Sequence, residues 1–420
     1  MKYLLLFSGI LLHCFAFAQN YTSYYTGNPN INVIPKGGTC LMGGATEQDN
    51  AMRWFLEQAN GGDILVLRAS GSNGYNDYLF TQLGVNVNSV ETIVCLNENS
   101  GEDPYIMDKI NKAEGIWFAG GNQWNYINFW RNTNVNLALS QAINRMCVFG
   151  GTSAGMAILG EHYFTAENGT ISSDEALNNP FHINATVTNA SFLHLPYLNN
   201  VITDTHYDNP DRRGRHVSFI ARQSVELQSP IYGLACEEYV AVCIDTLGIA
   251  HIYGEYPAYD EQAYFIEVNC EIPSNFPEIC QANTPLTWNQ NSRAVKVYKA
   301  NGTINGTSTF DLNTWMNGTG GMWLNWWVEE GVLFESEDFG PNCMNDLESS
   351  GEEFWRIKNP VQVNEWIPII STISKLRVVD SFGKEIDYEV NHDSIRLITQ
   401  REGIYFLFGN NVCRKILLTR

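Results

Sequence analysis

The sequence predicts an α/β protein, with a mostly parallel sheet carrying helices on both faces and a small C-terminal β-sandwich. Three observations carry that reading. Short apolar runs alternate with longer mixed segments from Thr39 to Gly155, a glycine pair follows several of the runs, and residues 359–420 hold only short strand-like stretches.

The strand segments, in order, are Thr39–Met42, Asp63–Ala69, Glu91–Leu96, Gly115–Phe118 and Met146–Phe149. Their apolar residues run on without alternation, the mark of strands buried on both sides. Between them lie the helix-like stretches Asp49–Ala59, Pro104–Ala113 and Val135–Asn144. Strands alternating with helices give a parallel sheet, whose sites gather beyond the carboxyl ends of the strands. The pairs Gly43-Gly44, Gly120-Gly121 and Gly150-Gly151 fall at such ends, where the backbone must come close to a ligand.

After Ser191 the pattern changes. Tyr239–Asp245 and Ala250–Tyr253 read as a hairpin around Thr246-Leu247-Gly248, and Asn-Gly at 301, 305 and 317 gives further turns in a mostly β region. Phe339–Glu353 is poor in apolar residues and reads as a linker. Leu376–Val379, Ile395–Ile398, Gly403–Phe408 and Arg414–Leu418 are the strands of the C-terminal sandwich. The predicted divisions are a signal peptide at 1–18, a main domain at 19–338, a linker at 339–357 and the sandwich at 358–420.

Composition narrows the function. With 25 basic against 45 acidic residues and a net charge of −20, the chain lacks the clustered cations that phosphate binding needs, so nucleic acid is excluded as a partner. Lys2, the apolar run Tyr3–Phe17 and Ala16-Phe17-Ala18 before Gln19 read as a secretory signal peptide. No later run approaches the ~20 apolar residues of a membrane span, so no stable membrane insertion is expected. Loss of Cys14 with the signal would leave nine of the ten cysteines, an odd number. Cys95 and Cys147 read as small buried hydrophobes, and Cys270 with Cys280 as a disulfide suited to export. No cysteine spacing suits zinc, so neither metal nor cofactor is expected.

The chemistry centres on Gly151-Thr152-Ser153-Ala154-Gly155, which follows the run Met146–Phe149 and opens a helix-like stretch. This is a nucleophile elbow in its strand–turn–helix setting, with small residues flanking a strained serine. The alternative is a glycine-rich turn with an ordinary capping serine. A serine needs a base, and His206 in Asp204-Thr205-His206-Tyr207 stands out among the seven histidines outside the signal segment. The base needs an acid. Glu237-Glu238 interrupts apolar sequence and offers one; Asp204, two residues from His206, is its rival.

Gly120-Gly121-Asn122-Gln123, Gly150 to Gly155, Asp204 to Tyr207 with Arg212, Arg213 and Arg215, and Gly233 to Glu238 together resemble the cyanophycinase-like serine peptidases. They stand in that family's order between Thr39 and Tyr253. The resemblance implies a fold like class I glutamine amidotransferases, with Ser153 as nucleophile, His206 as base and Glu238 as acid. It implies the amides of Ala154 and Gly121 as the oxyanion hole, and Gln123, Asp204, Arg212 and Arg215 around the substrate. Thr205 and Pro210 depart from the family pattern, as does Asn122, which alters the pocket and argues against cyanophycin itself. The C-terminal stretches Asn359-Pro360-Val361, Leu376 to Asp380, Gly383-Lys384, Gly403-Ile404-Tyr405 and Arg414-Lys415 resemble the sorting domain of type IX secretion cargo. That implies passage through the type IX machinery to the surface or exterior of a Bacteroidota-type bacterium.

The expected function is therefore hydrolysis of peptide or isopeptide bonds next to acidic residues through an acyl-enzyme. An aspartyl dipeptidase-like exopeptidase is the alternative within the class. A catalytically silent surface binding protein, using Trp315, Trp323, Trp326, Trp327 and Phe334, is the alternative outside it. Homodimerisation stays open.

Overall fold

In the computed structural model, residues 19–28, 31–188, 192–272, 274–341 and parts of 361–419 are described. The signal segment 1–18 and most of the linker, residues 342–357, lie outside the described residues. The chain divides into two compact units, Met1–Pro341 and Asn342–Arg420.

The first unit is built on a ten-stranded sheet ordered β1-β4-β3-β5-β6-β2-β11-β12-β15-β16. Its strands are β1 (Tyr21–Gly27), β2 (Thr39–Met42), β3 (Asp63–Arg68), β4 (Ser89–Cys95), β5 (Gly115–Phe118), β6 (Val148–Thr152), β11 (Ala241–Ile244), β12 (Ile249–Tyr256), β15 (Ser308–Asp311) and β16 (Gly318–Thr319). Only the run β4-β3-β5-β6-β2 is parallel; β1 and the strands beyond β2 pair antiparallel. The expectation of a mostly parallel sheet is thus corrected to a mixed sheet with a parallel core. The reason lies in the connections: β11 and β12 are joined by a tight turn, which forces antiparallel pairing, whereas parallel neighbours need a long crossover.

Helices supply those crossovers on both faces. Along β3, Leu65 and Leu67 pack with Ile106 and Ile110 of α3 (Pro104–Lys112) and Leu139 of α5 (Asn134–Asn144). Ile64 and Val66 point the other way, to Phe55 and Leu56 of α1 (Asp49–Gln58). The two-residue period of a strand puts successive apolar side chains into opposite layers, so the run has no polar face. α3 begins cleanly because the Asp103 carboxylate accepts from the Tyr105 amide at 3.0 Å, with Pro104 in the first turn.

A second sheet, absent from the sequence reading, has six strands ordered β18-β17-β14-β13-β10-β9. They are β9 (Val201–Asp204), β10 (Tyr232–Cys236), β13 (Gln262–Val268), β14 (Val295–Asn301), β17 (Gly321–Glu329) and β18 (Val332–Asp338). Only β9 and β10 run parallel. α7 (Ser173–Asn178) and α8 (Arg213–Leu227) share its core through Leu177, Val217 and Ile220. β7 (Tyr163–Phe164) and β8 (Val187–Thr188), with α7 between them in the chain, pair as a separate two-stranded antiparallel sheet. The aromatic group near the end of the unit is divided between two cores. Trp315 and Trp323 pack in the first sheet's cluster, Trp326 and Trp327 in the second's, and only Phe334 is exposed.

The cysteines correct one expectation. Cys280 is a free thiol buried beside Leu286 and Trp288, so it does not bond Cys270, which is itself disulfide-bonded. Cys95 and Cys147 are buried free thiols, and burial pushes the Cys95 thiol up to about 12.

The second unit holds a four-stranded sheet containing Arg377–Asp380, Gly403–Gly409, Val412–Thr419 and Val361–Gln362, and a three-stranded sheet of Ile367–Pro368, Ser394–Leu397 and Tyr388–Asn391. Both contribute to one apolar cluster, Val378, Leu407 and Leu418 from the first and Ile367, Ile395 and Leu397 from the second.

α8 carries a built-in acid sensitivity. His216 is fully buried, its Nε2 3.1 Å from the Ile202 carbonyl and its Nδ1 3.1 Å from the Tyr207 hydroxyl. The carbonyl requires Nε2 to donate, so Nδ1 accepts from Tyr207 in the neutral ring. Burial lowers the imidazole to about 4 from its ordinary 6.5. The unfolded chain therefore takes up this proton as pH falls through 6.5, while the folded chain refuses it until about 4. The stability His216 contributes is complete above pH 6.5 and lost across that window, roughly 3 kcal/mol in all. Urea unfolding between pH 4 and 7 should show that slope, and His216→Gln should flatten it.

Candidate active site

Four loops meet beyond the carboxyl ends of the parallel strands: Gly43-Gly44 after β2, the turn after Arg68 of β3, Gly120-Gly121 after β5, and Ser153 after β6. They wall a cleft of about 620 Å³ lined by Arg68, Tyr75, Tyr78, Gly120, Ser153 and His206.

Ser153 sits between β6 and the short α6 (Ala154–Ala157) with φ +53° and ψ −119°. Few non-glycine residues adopt such a backbone, and where they do the surroundings must enforce it. Here the Ser153 amide donates to the Met42 carbonyl at 3.1 Å, tying the elbow to β2. Gly155 is required because a Cβ there would lie 2.0 Å from the Phe118 carbonyl oxygen, so only glycine lets α6 press against β5.

His206 follows β9, also at positive φ, +46°. Its amide donates to the Gly43 carbonyl at 2.9 Å. Gly44 lies flat against the imidazole, where a Cβ would come within 2.4 Å of Cε1 and Nε2. The ring is thus held from behind by the loop after β2. His206 Nε2 lies 2.8 Å from Ser153 Oγ, and Nδ1 lies 2.6 Å from Glu238 Oε1. These two contacts put the three side chains in one line. Glu238 accepts further from Asn209 Nδ2 at 3.5 Å, and its own amide donates to Asp208 at 3.0 Å. The hydrogen bond from His206 holds the Glu238 carboxyl below the ordinary carboxylate range.

The neighbouring acids are otherwise engaged. Glu237 accepts from the Tyr264 hydroxyl and the Gln262 amide, each at 2.7 Å, and burial raises its carboxyl. Asp204 and Arg215 are 3% and 4% exposed and bind each other, Nε to Oδ2 at 2.9 Å, with a second bond from Nη2 to Oδ1. Burial alone would raise the Asp204 carboxyl, but Arg215 overrides it and holds the group down. Asp204 and Arg215, expected around the substrate, are thus enclosed and bound to each other. A carboxylate and a guanidinium left unpaired in the interior would be too costly, so they bind each other.

None of the remaining expected residues is among those lining the cleft. Arg212 is half-buried, with Nη1 donating to the Thr205 carbonyl at 3.0 Å and a buried Nε that has no protein acceptor. Burial, and then the nearby Arg215, lower its guanidinium. Gln123 opens α4 (Gln123–Trp130) and donates to the Phe164 carbonyl at 3.3 Å. Ala154 opens α6, so its amide has no acceptor within the helix. Gly121 has φ +153°, and Gly120 lies against Ser153.

Sequence reasoning missed the opposite wall. Arg68 donates to the carbonyls of Ser70 and Ser72 and stacks over Tyr75. Tyr75 donates to Glu47, and Tyr78 to Asp49 at 2.9 Å. Arg68 ends β3, and its place at the carboxyl end of a parallel strand was the signal that could have found it.

A serine in a strained elbow, a histidine on its oxygen and a carboxylate on the histidine define a serine hydrolase site in chemical type. Part of the chain is similar to known proteins. Residues 71–249 match the model described as Peptidase family S51. Cyanophycinases of Synechococcus elongatus and Thermosynechococcus vestitus are each 25% identical over 231 residues, which is 52% of this chain and 66% of theirs, just short of two thirds. Among solved structures, a peptidase from an acI-B1 actinobacterium aligns with TM-score 0.38 and 14% identity, over 55% of this chain and 94% of its own. A protein described as a peptidase E from Listeria monocytogenes EGD-e aligns with TM-score 0.33 and 17% identity, over 50% and 95%. The family match and the relatives indicate a serine-type peptidase hydrolase.

Proposed function

We propose that this chain is an exported serine peptidase that hydrolyses peptide or isopeptide bonds adjacent to acidic residues. The observation that carries it is the unbroken line from Ser153 Oγ through His206 to Glu238, at 2.8 and 2.6 Å. Ser153 attacks the scissile carbonyl while His206 takes its proton. The amides of Ala154 and Gly121 receive the oxyanion. His206 then protonates the leaving amine, and water hydrolyses the acyl-enzyme by the reverse use of the same base. Glu238 fixes the imidazole with Nδ1 protonated, leaving Nε2 to accept.

Arg212 and Gln123 hold the acidic residue of the substrate. A guanidinium with a spare buried N–H suits a carboxylate, because the charge-assisted bond restores what burial removed. The likeness to cyanophycinases supports an acidic polypeptide as substrate. Thr205, which is buried beside His206, and Pro210 depart from the family pattern, so acidic peptides are preferred over cyanophycin. The segment 1–18 as signal peptide and the C-terminal unit as a type IX sorting domain carry the enzyme out of the cell.

The test is hydrolysis by the full chain, beside Ser153→Ala, of α- and β-linked aspartyl dipeptides, longer acidic peptides and cyanophycin. Turnover of acidic substrates that disappears in the variant is the expected result. Turnover confined to dipeptides would make it an exopeptidase. No turnover, with no labelling of Ser153 by a fluorophosphonate, would remove the peptidase reading.

A further inference from the structure

A second cavity, of about 380 Å³, opens between α4 and the β7–β8 pair, lined by Trp124, Arg131, Phe181, His182, Thr186 and Arg222 among others. We propose that this cleft is a second binding site, one that takes the carboxylates of an acidic polypeptide chain and holds it across to Ser153.

Its charge is opposite to that of the molecule. In a chain of net charge −20, two arginines face a cavity whose lining includes a single carboxylate, Glu167; Arg222 also pairs with Glu226, and His182 accepts from the Asn184 amide at 3.1 Å through Nδ1, as a neutral ring does. Arg222 is fixed in place. Nη1 donates to the Ala185 carbonyl at 2.8 Å, Nε to Glu226 at 3.0 Å, and the guanidinium lies 4.7 Å over the Phe181 ring. Arg131 is not spent in this way. Its hydrogen bond is a long one, Nη1 to the Tyr163 hydroxyl at 3.5 Å, and among the described residues no carboxylate lies within ion-pair distance. Thr186 adds a buried hydroxyl with no partner. Donors held in place and partly shielded from water bind carboxylates better than mobile surface cations do.

The occupant follows from where the cleft lies. Gly120 walls the Ser153 cleft and Trp124 walls this one, so only three residues of chain separate a wall of one from a wall of the other. The Cα atoms of Gly120 and Trp124 are no more than about 14 Å apart, and Gln123 ties the stretch to β7 through the Phe164 carbonyl at 3.3 Å. An extended chain of about four or five residues, at roughly 3.3 Å per residue, is long enough for any span up to that limit. Apolar walls at Trp124, Phe181 and Ala185 suit the chain between its carboxylates.

The site is tested separately from catalysis. Binding of a fluorescein-labelled aspartate decamer is measured on the full chain carrying Ser153→Ala, with and without Arg131→Gln. The expected result is a Kd about tenfold weaker with Arg131→Gln, restored by Arg131→Lys, with the unfolding midpoint unchanged. With Ser153 intact, Arg131→Gln should raise KM for the decamer and leave aspartyl dipeptide turnover unaltered. An unchanged Kd in both Arg131→Gln and Arg222→Gln would overturn the proposal. So would tighter binding of polygalacturonate than of the decamer, since that would assign the cleft to a polysaccharide. Decamer binding that depends on Arg131 in a protein that cleaves nothing would uphold this site while removing the peptidase reading.

Discussion

Glu238→Gln is expected to lower kcat/KM about 10⁴-fold on the preferred acidic substrate, and Ser153→Ala at least as far, with little change in unfolding. The geometry explains why so conservative a change costs so much. At 2.6 Å from Nδ1, a carboxylate can only accept, and so it selects the tautomer whose Nε2 is free to take the serine proton. A glutamine amide at that place can donate instead, which stabilises the tautomer with its proton on Nε2, facing Ser153 Oγ. No neighbour can substitute. Asp204 is committed to Arg215, and Glu237 to Tyr264 and Gln262. Because the His206 hydrogen bond lowers the Glu238 carboxyl, that pairing is present above the ordinary carboxylate range and is lost only as pH falls through the lowered value. A loss of activity with its midpoint above the ordinary range is therefore not the titration of Glu238. Near-normal turnover by Glu238→Gln would take Glu238 out of the catalytic line, whatever Ser153→Ala does.

The sequence made the parallel core legible because its strands have no polar face. Thr39–Met42 and Gly115–Phe118 form with the expected bounds, since runs buried on both sides stop where glycine or polar residues begin. The second sheet was not legible. β13, β14 and β17 reach their partners across long stretches of chain, and a lone strand carries no sign of which sheet it joins. α8 was hidden for another reason: Arg212, Arg213 and Arg215 look like a solvated loop, yet Arg215 is buried and Val217, Ile220, Ala221 and Ser224 follow at helical spacing. The elbow was visible because Ser153 needs small neighbours, and Glu238 because a carboxylate interrupts an apolar run. Neither spacing nor composition could say that Asp204 turns to Arg215 instead of the cleft. That choice depends on burial, which only the packing of β9 against α8 creates.

Arg215→Met is expected to destabilise the main unit by about 3–5 kcal/mol, measured by urea unfolding at pH 7. The size comes from what is left behind. Asp204 would retain the Thr205 amide at 2.8 Å but lose both guanidinium bonds while still enclosed, and an uncompensated buried carboxylate is worse than no carboxylate at all. Replacing both, Asp204→Leu with Arg215→Met, should recover much of the loss, because two apolar groups of similar volume need no partner. The pair also has a sign in pH. Arg215 holds the Asp204 carboxyl down against burial, so its contribution is present above the ordinary carboxylate range and disappears as pH falls through the lowered value. In the single variant burial alone acts on the Asp204 carboxyl and raises it, so the sign reverses and the variant regains stability as pH falls through the raised value. A residue that bound substrate would behave differently: KM would rise while unfolding stayed the same. If Arg215→Met gives that pattern, the guanidinium reaches the substrate after all, and Asp204 with it. If stability falls and the double replacement restores it, the two side chains serve the site by holding the chain two residues before His206, so that the imidazole keeps its place between Ser153 and Glu238.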